Sequence, residues 1–167
     1  MRNLEFKARL ADPGAALAAA RQLGADLWGD LRQTDTYFAV ARGRLKLRET
    51  VGFQAELIFY ERDEVSEARP SDYSVVAFKD AGDLREALSR ALGVVAVVRK
   101  RRTLLLLDTT RIHLDNVEGL GSFIEIEVPV SGEGQSAAER LTALIASLGL
   151  TWDDCVRQSY ADVVALS

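Results

Sequence analysis

Apolar and charged side chains alternate along much of this chain. In residues 2–10, Leu4, Phe6, Ala8 and Leu10 fall on one face of an extended backbone, and Asn3, Glu5, Lys7 and Arg9 on the other. The same period of two recurs where Arg44, Lys46 and Arg48 oppose Leu45 and Leu47. It recurs again where Arg111, His113 and Asp115 oppose Ile112 and Leu114. A further run sets Phe123, Glu125 and Glu127 against Ile124, Ile126 and Val128. With the turn residues that bound them, these runs predict strands near 2–10, 33–41, 44–50, 54–61, 73–79, 94–107, 110–116 and 121–129. Arg42-Gly43 and Asp108-Thr109-Thr110 read as tight hairpin connections.

Other stretches carry helical spacing. Asp12 caps a helix that starts with Pro13, runs through Ala15–Ala20 and stops at Gly24. Leu84, Leu88 and Leu92 stripe a second, from about Gly82 to Leu92. Ser136-Ala137-Ala138-Glu139 reads as a capping box opening a third, which continues through Leu141, Leu144 and Ile145 to Gly149. A short fourth spans Tyr160 to Leu166. Eight strands with these helices predict an α+β domain on a mostly antiparallel sheet or barrel.

A sheet with one face in water shows the same alternation. Here the polar faces are almost wholly Arg, Lys, Glu and Asp, and their signs segregate. Strands three and six are basic, through Arg44, Lys46 and Arg48 and through Lys100 and Arg102. Strand eight carries Glu125 and Glu127. The helices have apolar faces that need a sheet surface to cover. If they cover the outside of a closed sheet, the charges point inward, and the domain becomes a barrel with a charged lumen. Buried charges must be balanced. Arg and Lys match phosphate oxygens, and clustered carboxylates match a hard divalent cation such as Mg²⁺ or Mn²⁺. The lumen is therefore complementary to a metal-bound polyphosphate.

Composition narrows the classes. The 167 residues, 48% hydrophobic and 28% charged, suit one globular domain over 1–167. A net charge of −4 argues against a nucleic-acid duplex or a polybasic membrane anchor. The single cysteine, Cys155, has no disulfide or zinc partner. The charges in Met1–Lys7 do not suit a signal peptide, so none is expected, and the longest apolar run, Ala91–Val98, falls far short of a membrane span. A soluble cytoplasmic protein is expected.

The chain resembles the CYTH superfamily, the triphosphate tunnel metalloenzymes. Glu5 and Lys7 in Asn3-Leu4-Glu5-Phe6-Lys7 match that family's N-terminal Glu-x-Glu-x-Lys strand, with Asn3 departing from its first Glu. Further matches follow in family order: Gln33 to Phe38, Arg44 to Glu49, Lys100-Arg101-Arg102, Ile112 to Asp115 with Gly119-Leu120-Gly121, Phe123 to Glu127, and Ser159-Tyr160. The resemblance implies an eight-stranded antiparallel tunnel with helices outside. It implies divalent metal, Mg²⁺ or Mn²⁺, held by Glu5, Glu125 and Glu127, and a triphosphate held by Lys7, Arg44, Lys46, Arg48, Lys100 and Arg102. Glu5, Lys7 and Asp115 would take part in the reaction; Arg99 and Arg101 fall on the other face. A homodimer is a family-level expectation.

Leu57 to Arg62 and Arg69 to Tyr73 look most like the class IV adenylate cyclase-like branch, which converts ATP to cyclic AMP and pyrophosphate. Hydrolysis of thiamine triphosphate, tripolyphosphate or a nucleoside triphosphate is the alternative. A non-catalytic polyphosphate- or nucleotide-binding module is the third reading. Tyr60 or Arg62 takes the place of a fourth-strand Lys common in relatives. His113 suits either phosphate contact or packing and has no zinc partners; Trp28 and Trp152 suit core caps near helix ends. Tyr37 and Phe38 are expected to straddle the sheet, and Asp63–Pro70 to form a polar loop suited to a lid.

Overall fold

The computed structural model of the protein describes residues 2–62, 69–130 and 135–165. The strands are β1 Arg2–Arg9, β2 Asp26–Phe38, β3 Arg44–Thr50, β4 Ala55–Arg62, β5 Arg69–Phe78, β6 Val94–Leu107, β7 Thr110–Val117 and β8 Gly121–Pro129. They close into a barrel in the order β1-β5-β4-β3-β2-β6-β7-β8, with every neighbouring pair antiparallel. The helices are α1 Pro13–Gln22, α2 Gly82–Leu92, α3 Gln135–Ser147 and α4 Tyr160–Ala165. No helix among the described residues is long and apolar enough to cross a membrane.

Closure follows from the period of two. The apolar faces of β1, β7 and β8, and Leu47 of β3, point out and are covered. Phe6, Leu105, Ile112, Ile124 and Ile126 pack with Leu141 and Ile145 of α3 and Ala20 of α1. Phe38, Leu47 and Ala55 pack with Leu84 and Leu88 of α2. The charged faces are left to the lumen, as the alternation predicts. Trp152 meets Phe6 edge-on at 5.5 Å and seals this outer core. Tyr37 points in and Phe38 out, so the pair does straddle the wall.

Helix α1 is set by its ends. Asp12 accepts a bond from Ala15 N–H at 2.9 Å, Pro13 occupies the first turn, and Gly24 leaves in the left-handed region at φ 91°. Helix α4 has a different place. Tyr160 and Ala161 are buried among Tyr37, Ala96, Val98, Val117 and Phe123, which all sit on the lumen side. The C-terminal helix thus covers one mouth of the barrel.

Four local expectations are corrected. Strand β2 begins at Asp26, not near residue 33. It pairs with β6 along its whole length, with a register shift between Leu27 and Gly29. That bulge throws Trp28 outward onto Phe53, at 5.9 Å, so Trp28 is half-exposed strand and no core cap. Strand β2 ends at Phe38, so the β2–β3 connection is residues 39–43. Ser136 lies inside α3, which begins at Gln135, so it does not cap it. Residues 63–68 of the expected lid fall outside the described residues, as does the Arg62 side chain.

Candidate active site

The lumen holds a cavity of about 260 Å³, close to the lower end for small-ligand pockets. One wall is cationic. β3 contributes Lys46 and Arg48, and β6 contributes Lys100 and Arg102. Between them, on β2, stands Asp35, fully buried. Arg48 Nε and Nη2 donate to its two oxygens at 2.8 Å each, Lys46 Nζ donates at 3.1 Å, and Lys100 Nζ at 3.5 Å. Burial alone would raise the pKa of Asp35. Arg48, Lys46 and Lys100 more than offset it and hold the carboxyl well below the usual range. One carboxylate among three cations fixes their side chains and leaves surplus positive charge for a polyanion. Sequence pattern alone does not mark Asp35; its role comes from this pairing.

The acidic side is built by β1, β7 and β8. Register places Glu5 beside Glu127 and Lys7 beside Glu125 on β1–β8, and His113 beside Glu125 and Arg111 beside Glu127 on β7–β8. Glu125 receives Arg102 Nη2 at 2.6 Å and lies 3.3 Å from Lys7 Nζ. Glu127 lies 2.7 Å from Arg111 Nη2. Burial would raise both carboxyls; Lys7 and Arg102 for Glu125, and His113 and Arg111 for Glu127, outweigh it and keep them low. Asn3 also lines the cavity, and its amide, turned to satisfy both ends, accepts from Arg111 at 3.0 Å. Glu5 and Lys7 line the cavity with them.

Not every expected residue reaches this cavity. Asp115 is turned to Arg102, which grips both of its oxygens at 2.7 and 2.6 Å, and to the Tyr160 hydroxyl at 2.9 Å. It therefore lies on the lumen side beneath Tyr160, holding Arg102 in place, and is off the cavity wall. Burial, with Glu125 and Asp115 beside it, pushes the Tyr160 hydroxyl up, so it remains a donor. Arg44 is held by Asp162 of α4 in a two-bond pair at 2.8 and 2.9 Å, and is absent from the cavity wall. Arg99 and Arg101 point outward, as expected. Tyr60 lines the cavity at the fourth-strand position, 5.6 Å from Lys46 Nζ to its ring centre.

These placements separate two arginines adjacent in the pattern. Arg44→Ala loosens a half-exposed pair and should change the tripolyphosphate concentration needed for half-saturation by less than about fivefold. Arg48→Ala removes a cavity charge and should raise it by more than about tenfold. Binding isotherms of the two variants decide it; equal losses would place Arg44 on the ligand.

Lys100 gives the cavity a pH dependence. Burial, aided by Arg102, pushes its ammonium down from 10.5 to about 7. A polyanion beside it favours the protonated form, so binding above pH 7 must take up a proton. Affinity should fall as pH rises from 7 to 9, by at most about tenfold per unit. Calorimetry with ATP at pH 8, in two buffers of different ionisation heat, should show uptake of most of a proton, and Lys100→Met should abolish it. Equal heats in both buffers for the parent would exclude Lys100 from the contact.

Comparison with known proteins follows the same outline. The family model described as CYTH domain matches residues 1–160. A Methanocaldococcus jannaschii protein named as a candidate adenylate cyclase is 23% identical over 176 residues, covering 99% of this chain and 100% of its own. A solved Pyrococcus horikoshii structure matches with a TM-score of 0.89 at 23% identity, over 97% of this chain and 99% of that one. A Hippeastrum adenylyl cyclase candidate, described as having a dominant triphosphatase activity, matches at a TM-score of 0.62 and 18% identity, over 90% and 89%.

Proposed function

Because the chain belongs to the CYTH domain family, we propose that it is a divalent-metal-dependent enzyme that transforms the triphosphate group of a small molecule inside the barrel, in the manner of a class IV adenylate cyclase. The observation that carries this is the convergence of Lys46, Arg48, Lys100 and Arg102 on one cavity beside Glu125 and Glu127. A pure anion binder has no use for the carboxylates, and a pure metal site has no use for the cations.

The donor set suits a divalent ion. Glu125 and Glu127 offer hard oxygen ligands, with Glu5 adjacent in register to Glu127. Such an ion polarises a phosphoryl oxygen and activates a hydroxyl or water. The chain's own residues do the rest. Lys46, Arg48, Lys100 and Arg102 neutralise and align the phosphates, a task that dominates phosphoryl and nucleotidyl transfer. Asp35 and the Asp115–Tyr160 pair keep those cations in register. Glu5 and Lys7 stand where the reacting phosphoryl group meets the acidic side.

In a cyclase the 3′-hydroxyl oxygen bonds to the α-phosphorus, the bond to the bridging oxygen of the leaving pyrophosphate breaks, and the hydroxyl proton is lost. In a hydrolase, water bonds to the γ-phosphorus and a diphosphate leaves. Product analysis by phosphorus NMR separates the two readings. ATP, tripolyphosphate and thiamine triphosphate are each incubated with the protein and Mg²⁺ or Mn²⁺. Cyclic AMP with pyrophosphate establishes the cyclase, and orthophosphate the triphosphatase. Tripolyphosphate binding without any turnover reduces the protein to a binding module and overturns the proposal.

A further inference from the structure

The lumen contains one buried polar group that the reading above leaves unused. His113 on β7 is 4% exposed, and its Nδ1 has no hydrogen-bond partner. That nitrogen lies 3.7 Å from Glu127 Oε1 and 3.8 Å from Glu125 Oε2, too far for hydrogen bonds. A buried imidazole nitrogen without a partner has lost its solvation and gained nothing in exchange. The side chain is nonetheless aimed at the two carboxylates. One donor atom from each of the three residues lies within 4.8 Å of the others. Two ligands each about 2.0–2.2 Å from one ion stand up to about 4.3 Å apart, so both measured separations fit a shared ion.

Asn3 also lines the cavity, but its amide is engaged with Arg111 and the Arg2 carbonyl, whereas the His113 nitrogen, two strands away, has no such partner.

Resting on the tunnel reading above, we infer that His113 Nδ1 is a direct ligand of the ion held by Glu125 and Glu127, and that this nitrogen gives the site a preference for first-row transition divalent ions over Mg²⁺. Imidazole suits transition ions, whereas an all-oxygen set suits Mg²⁺.

The test uses binding and spectroscopy, without turnover. Mn²⁺ is added to the intact protein, and electron spin-echo modulation is recorded for ¹⁴N coupling. Coupling characteristic of imidazole is expected for the parent and is lost in His113→Leu. Competition should show Co²⁺ binding at least about tenfold more tightly than Mg²⁺, with the margin collapsing in His113→Leu while circular dichroism stays unchanged. Bound Mn²⁺ without nitrogen coupling overturns the inference. So does a failure of the parent to bind Mn²⁺ at millimolar concentration. If His113→Leu does not fold, the parent's spectrum alone still decides. Nitrogen coupling without turnover of any triphosphate would sink the proposed function and leave this inference standing; turnover without coupling would do the reverse.

Discussion

Replacing Asp35 with Asn should destabilise the ligand-free protein by about 3–5 kcal/mol, the usual result of removing one partner from a buried ion cluster. Asp35 is 0% exposed and is the carboxylate shared by Lys46, Arg48 and Lys100. The amide is nearly isosteric, so packing is preserved and only the charge is lost. Lys46 and Arg48 are then left facing each other without their shared anion, and Lys100, already held near neutrality by burial, is driven further toward its uncharged form. Urea unfolding at pH 7.5 reads the loss directly, and a shift under about 1 kcal/mol would mean that Asp35 is not the organising anion. The same variant gives a second readout. Tripolyphosphate supplies the missing negative charge, so it should raise the stability of Asp35→Asn more than that of the parent. Salt should have the weaker effect, because a dispersed counterion cannot occupy the fixed position. The pH dependence has a definite sign. The folded pKa of Asp35 is depressed, so its contribution is present above the unfolded carboxyl value near 3.9 and is lost as pH falls through the folded value. The gap between parent and variant should therefore narrow in acid.

Much of the barrel was legible because side-chain period and burial coincide. In β1, β7 and β8, and over Arg44–Arg48 of β3, charged and apolar residues alternate, and the helices leave the apolar face nowhere to go but the outer core; in β6 the run Arg99–Arg102 is charged on both faces, and only Lys100 and Arg102 turn inward. Lys7, Lys46, Arg48, Lys100, Arg102, Glu125 and Glu127 all line the cavity for that reason. Strand β2 was harder. Leu27-Trp28-Gly29 contains a bulge, which breaks the period of two just where the strand begins. Further along, Thr34-Asp35-Thr36 reads as an ordinary polar stretch, and an acid among basic strands does not announce itself as their common partner. That pairing exists only once the register of β2 against β3 and β6 is known.

Arg44 is placed by a distant contact. Its parity is that of Lys46 and Arg48, yet it lies at the mouth covered by α4, and Asp162, 118 positions away in the chain, draws it aside. Asp115 likewise has lumen parity but sits under Tyr160. Parity fixes the face; which end of the tunnel remains open is decided by the C-terminal helix, and no local pattern encodes that. Local pattern does not separate packing from contact at His113, because its neighbours lie on β8, and only the β7–β8 register sets the imidazole against Glu125 and Glu127.

Glu125→Gln should abolish metal-dependent turnover, by at least about 10²-fold in kcat, while leaving the fold intact. The size follows from the loss of a preorganised charge at the reacting centre. The intact fold follows from the partners that remain. Arg102 keeps its two bonds to Asp115, and Lys7 keeps the Gln158 carbonyl at 3.2 Å. Neither cation is stranded, in contrast to Asp35→Asn. The two variants thus form a pair with opposite signatures: one loses stability and keeps its metal ligands, the other keeps stability and loses one. Tripolyphosphate binding without metal should survive Glu125→Gln, or tighten, because Lys7 and Arg102 gain positive field at the cavity. Steady-state rates with Mg²⁺ or Mn²⁺, run beside thermal unfolding and metal-free binding isotherms, separate these effects. Parent-like turnover in Glu125→Gln would remove the carboxylate from the chemistry and with it the metal-dependent reading of the tunnel. Lost turnover with lost folding would instead show that Glu125 supports the barrel, a result the surviving bonds of Arg102 and Lys7 argue against.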